Sequence, residues 1–141
     1  MKNISINLIK RLLLVLGLLD AVYLTYIKYS SDAALCTTGC DIVNSSAYSE
    51  IMGIPIAILG GLTYLFLLGL EFAIDRKPDW ITQLQLVSFA TSLFGFLYQA
   101  YLTYVEIFIL NAICQYCVIS AVIMTTILII NLVTVLKQPL D

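Results

Sequence analysis

The residues of this chain best suited to chemistry are its four cysteines, and the chain has no histidine. They form two close pairs, Cys36-Thr37-Thr38-Gly39-Cys40 and Cys114-Gln115-Tyr116-Cys117. Paired thiols can exchange disulfides, brace a loop as static bridges, or hold zinc as thiolates. A Cys-x-x-Cys at the start of a helix sets both sulfurs on one face, near the positive end of the helix dipole. That placement lowers a thiol pKa and supplies the thiolate that attacks or leaves in disulfide exchange. A static bridge gains nothing from it. The Thr/Gly segment between Cys36 and Cys40 can move, so its disulfide can meet an outside partner and then deliver electrons inward. Zinc is disfavoured because an oxidising compartment converts thiols to disulfides, and no metal is expected. The competing reading is a disulfide-stapled structural membrane subunit without redox turnover.

The elements that must position these cysteines follow from composition. Of 141 residues, 61% are hydrophobic and 11% charged, against roughly a quarter charged in a soluble domain. The apolar residues fall in four stretches near the length of about 20 that a spanning helix needs: residues 8–27, 54–73, 84–104 and 113–136. The expected fold is an all-α integral membrane protein, a single domain over residues 1–141. Its four-transmembrane-helix bundle carries one large extracytoplasmic loop, residues 29–53, between helices 1 and 2. Pro55 suits the start of the second helix and Pro78 the loop before the third. Lys2, Lys10 and Arg11 precede the first apolar run as in a secretory leader. That run continues through Asp20 without a small-residue cleavage site, so it reads as a first spanning helix.

Lys2, Lys10, Arg11, Arg76, Lys77 and Lys137 all fall on one side of such a bundle, and only Lys28 on the other, with Asp32, Asp41, Glu50 and Glu106. Basic loops stay cytoplasmic, so both termini face the cytoplasm and all four cysteines the oxidising side. Tyr26, Tyr29, Tyr101 and Tyr104 suit the outer interface and Trp80 the inner one. A net charge of -2 without a basic tract excludes a nucleic-acid partner. Asp20, a carboxylate within a span, suggests either proton transfer or a group satisfied inside the bundle near Tyr23 and Lys28.

This order of features resembles the vitamin K epoxide reductase family, specifically its bacterial quinone-linked members. The matching residues are Leu18-Leu19-Asp20-Ala21-Val22-Tyr23-Leu24-Thr25-Tyr26, Cys40-Asp41-Ile42-Val43-Asn44-Ser45-Ser46, Gly53-Ile54-Pro55-Ile56-Ala57 and the Cys114–Cys117 motif. The resemblance implies a four-helix bundle around a quinone, ubiquinone or menaquinone, in the cell inner membrane. It implies that Cys36 is the outer shuttle cysteine, that Cys40 attacks Cys114, and that Cys117 lies beside the quinone ring. Ser46 is implied to support the loop or quinone site by hydrogen bonding. Many bacterial members carry a fused thioredoxin-like domain, and this chain ends at Asp141, so the expected partner is a separate thioredoxin-fold, DsbA-like protein. The loop cysteines are closer together than in the family pattern. Animal members have an asparagine and a tyrosine where Ser49 and Ala121 stand. A DsbB-type quinone reductase places its Cys-x-x-Cys in the first outer loop, unlike this chain.

Overall fold

In lipid, a backbone must satisfy its own hydrogen bonds, and a helix does so within one segment. The computed structural model describes residues 2–30 and 46–137. It has four long helices: α1 (Lys2–Ser30), α2 (Ile56–Arg76), α3 (Ile81–Tyr104) and α4 (Gln115–Lys137). Cys36 and Cys40 lie outside the described residues. The helix order matches the sequence expectation, with shifted bounds. The first helix runs beyond 8–27 at both ends, the second begins after Pro55, and the third begins at Ile81.

Part of the expected 29–53 loop is ordered structure. A 3-10 turn over Ala47–Ser49 leads into a hairpin of β1 (Glu50–Ile51) and β2 (Ile54–Pro55). Its pairs are Glu50 with Pro55 and Ile51 with Ile54. Met52 and Gly53 form the two-residue turn at φ 54° and 83°, the left-handed pair that matches strand twist. The apolar run from Ile54 is thus a strand end before it is a helix, because Pro55 holds an extended backbone at φ -59°, ψ 135°.

Among the described residues, three helical runs are long and apolar enough to cross a membrane: Ile56–Arg76, Pro78–Leu110 and Gln115–Lys137. Helix α1 packs against α2 and α4, and α3 packs against α4 and α2, closing a four-helix ring. The buried face of α1 reads Lys10, Leu14, Gly17, Ala21, Leu24 and Ile27, the three-and-four spacing of one helical stripe. Leu14 meets Tyr64, Leu67, Ile123 and Ile127 in the core. Gly17 is required there, since a Cβ at that position would stand 2.4 Å from the Tyr64 ring. Lys10 is therefore a buried partner of Glu71, not only a flanking charge, and Arg11 pairs with Asp75 beside it. Leu12, Leu16, Leu97 and Leu136 point outward, as lipid-facing side chains do.

Candidate active site

The Cys-x-x-Cys is positioned by an irregular corner. Helix α3 does not end in a loop at Tyr104. It continues as a π-helix, Val105–Leu110, closed by Asn111 in the left-handed region at φ 50°. Asparagine tolerates that conformation, and a π-turn inside a helix often marks a functional site. The Ala112 N–H bonds the Glu106 carbonyl at 3.1 Å, and the chain enters α4 at Gln115, five residues after Leu110.

Cys114 therefore precedes α4 instead of lying within it, as the expected start at 113 required. Its Sγ accepts the Cys117 N–H at 3.4 Å, the contact that an N-cap serine or aspartate oxygen makes to a helix's unsatisfied first turn. A hydrogen bond from the Cys117 thiol is the largest influence on the Cys114 thiol and holds its pKa below the ordinary value. Burial opposes this, the Cys117 N–H supports it, the Glu106 charge opposes it, and the Tyr116 N–H supports it. Cys114 is fully buried, packed with Leu24 and Ala112. The T-shaped Tyr23–Tyr116 contact, with centroids 4.9 Å apart, ties α1 to the motif.

Cys117 faces the other way, onto a cavity of about 470 Å³ between the helices. The walls are mainly apolar, from Leu24, Leu59, Phe94, Leu102 and Met124. Polar groups stand at separate points: Asp20 and Lys28 from α1, Ser46 from the loop end, Glu106 from the π-helix and Ser120 from α4. On one side of the cavity the Tyr64 hydroxyl meets the Ser120 hydroxyl at 2.8 Å, and Gln99 donates to the same hydroxyl at 3.0 Å. Ser120 lies one turn below Cys117. Asp20 also lines the cavity, and among the described residues its buried Oδ2 has no hydrogen-bond partner. Tyr23 and Lys28 are thus not what satisfies that oxygen.

Two of the expected site cysteines, Cys114 and Cys117, come together at the start of α4, and Cys117 and Ser46 line the same cavity. The Ser46 carbonyl accepts bonds from the Ser49 N–H at 3.1 Å and the Ser49 hydroxyl at 2.8 Å. Lys28 donates to Ser49 Oγ at 2.8 Å and pairs with Glu50 at 3.0 Å, which pins the loop end over α1.

Glu106 was missed as a site residue, having been counted among outer-side charges. It is 3% exposed, its Oε2 accepts the Cys114 N–H at 3.3 Å, and it lines the same cavity as Cys117. The signal available was a carboxylate inside an apolar stretch eight residues before the motif, the same signal that singled out Asp20.

The vitamin K epoxide reductase family model matches residues 9–132. This chain belongs to that family. Family membership makes it a membrane thiol-disulfide oxidoreductase, and three spans of suitable length and composition agree. The match takes in the cavity-lining faces of all four helices and both ends of the 29–53 segment. A thiol held low at a helix start can exchange disulfides.

Proposed function

We propose that this protein is a quinone-linked thiol oxidoreductase that reoxidises a thioredoxin-fold partner and so supports extracytoplasmic disulfide formation. The observation that carries this reading is the division of labour at the motif: Cys114 caps α4 away from the cavity, while Cys117 faces it. The cavity suits a quinone. Small-molecule sites fall near 300–1,000 Å³, mostly apolar with a few placed polar groups, and this one has that size and lining. Leu24, Leu59 and Phe94 would hold the ring, and Ser46 or Ser120 would hydrogen-bond its oxygens. A quinone bound there supplies a sink for two electrons and two protons.

The protein's own steps are thiol exchanges. The partner's dithiol reduces a Cys36–Cys40 disulfide through a mixed disulfide at Cys36. The Cys40 thiolate then attacks Cys114 Sγ, and the Cys114–Cys117 bond breaks with Cys117 leaving as the thiolate. Cys36 next attacks Cys40, re-forming the loop disulfide and leaving both motif cysteines reduced. One dithiol is oxidised and one disulfide reduced at each exchange, so electrons and protons balance. Helix α1 is the fourth span in this reading. Both termini are cytoplasmic, all four cysteines face outward, and the protein sits in the cell inner membrane.

The relay is tested by trapping. In a Cys36→Ala/Cys117→Ala variant, Cys40 and Cys114 have only each other, so peptide mass spectrometry after mild oxidation should find a Cys40–Cys114 disulfide. Recovery of both as separate thiols in the folded protein would remove the proposed transfer step.

A further inference from the structure

We propose that Glu106 is the catalytic base of the motif, taking the Cys117 thiol proton and passing it toward the cavity. The inference rests on the quinone-linked reading above and adds a residue to it.

Three observations carry it. Glu106 is almost wholly buried and lies on the same cavity as Cys117. Its Oε2 accepts the Cys114 N–H at 3.3 Å, and Cys114 Sγ in turn accepts the Cys117 N–H at 3.4 Å, which places the carboxyl at the motif. The π-helix that aims it inward is an irregularity that an ordinary α-helical end would not need. A carboxylate in an apolar interior is costly and by default functional, and a general base takes its proton at hydrogen-bond reach or through one water. From the surrounding elements, Asp20 and Lys28 of α1, Tyr64 of α2 and Tyr98 of α3 face the same cavity. Glu106 is the carboxyl hydrogen-bonded to the motif.

The chemistry balances with a quinone as acceptor. Reoxidation of the motif forms one S–S bond and breaks two S–H bonds, giving up two electrons and two protons. Glu106 accepts each proton from sulfur in turn and releases it to an acceptor oxygen, ending as the carboxylate it began as. The acceptor takes both electrons and both protons and leaves as hydroquinone.

Replacing Glu106 with Gln keeps an oxygen to accept the Cys114 N–H but removes the basicity, which separates a base from a structural acceptor. With a short-chain ubiquinone and dithiothreitol as donor, corrected for the uncatalysed rate, E106Q should lose about 10²-fold in kcat, the usual scale for a general base. E106D should recover part of that loss. In quinone-free, reduced protein, thiolate absorbance near 240 nm should appear at lower pH in E106Q than in the parent, because the Glu106 charge raises the Cys114 thiol. Turnover and thiolate formation thus move in opposite directions, which a misfolded variant would not reproduce. Parental turnover in E106Q, an E106D variant as impaired as E106Q, or an unshifted thiolate titration would each overturn the assignment. Failure of the unsubstituted protein to reduce the quinone would instead overturn the quinone-linked reading.

Discussion

The two cysteines of the Cys-x-x-Cys have different surroundings because one precedes the helix and the other lies within its first turn. Cys114 gathers N–H groups around its sulfur, and a thiol stabilised in this way ionises at lower pH than a free one. Its pKa in the folded protein is depressed, so thiolate stabilisation adds to the stability of the reduced form above the ordinary thiol pKa. It is lost as pH falls through the lowered one. Differential melting of reduced protein and of a Cys114→Ser variant across pH 6 to 10 should therefore show the gap widening as pH rises; a pH-independent gap would contradict the capping account. The cysteines themselves were legible in the sequence, since their number and spacing are local facts. What spacing could not give was which sulfur caps the helix and which faces the cavity, because that depends on a start at Gln115 and not two residues earlier. Glu106 was hidden for a related reason: one extra residue in a π-turn changes which side chains face inward.

At the scale of elements, α1 is held to α2 by a buried ion pair at one end and by a glycine contact near its middle. Breaking one partner of a buried pair leaves an uncompensated charge, at a cost of about 3–5 kcal/mol, whereas replacing both with apolar residues is often neutral or stabilising. Glu71→Leu should therefore melt well below the parent in detergent, and Lys10→Met combined with Glu71→Leu should recover most of the difference. A double variant no more stable than the single would argue against the pairing. Gly17→Ala should cost about 1–3 kcal/mol, since its Cβ meets the Tyr64 ring, and should disturb the Tyr64–Ser120 contact beside the cavity. Its check is a thermal melt together with quinone turnover. The helices were readable from apolar run length, which depends on composition alone. The hairpin was not, because four strand residues and a turn at Met52–Gly53 look like loop beside a proline-opened helix. The inward stripe of α1, with Lys10 on it, became clear only when Glu71 on another element was seen to face it.

For the whole molecule, the bundle encloses an apolar cavity, with Cys117 at its wall and the loop end pinned above α1 by Lys28. The proposed orientation makes a simple prediction in a variant lacking the four native cysteines. Met52→Cys, at the fully exposed tip of the hairpin, should react with a membrane-impermeant maleimide added outside intact cells. Trp80→Cys, exposed between α2 and α3, should react only after permeabilisation. The reverse pattern would invert the topology. Family and membrane character could be read early because the motifs span most of the chain. The side of the membrane and the quinone rest on charge distribution and cavity shape. The account as a whole turns on electron flow from a dithiol through Cys117 to a quinone. The most direct measurement is anaerobic turnover of the purified protein with a reduced thioredoxin-fold donor and a short-chain quinone. The account predicts quinone reduction by the parent protein and none above background by Cys117→Ala, and undiminished reduction by that variant, or none by the parent, would contradict it.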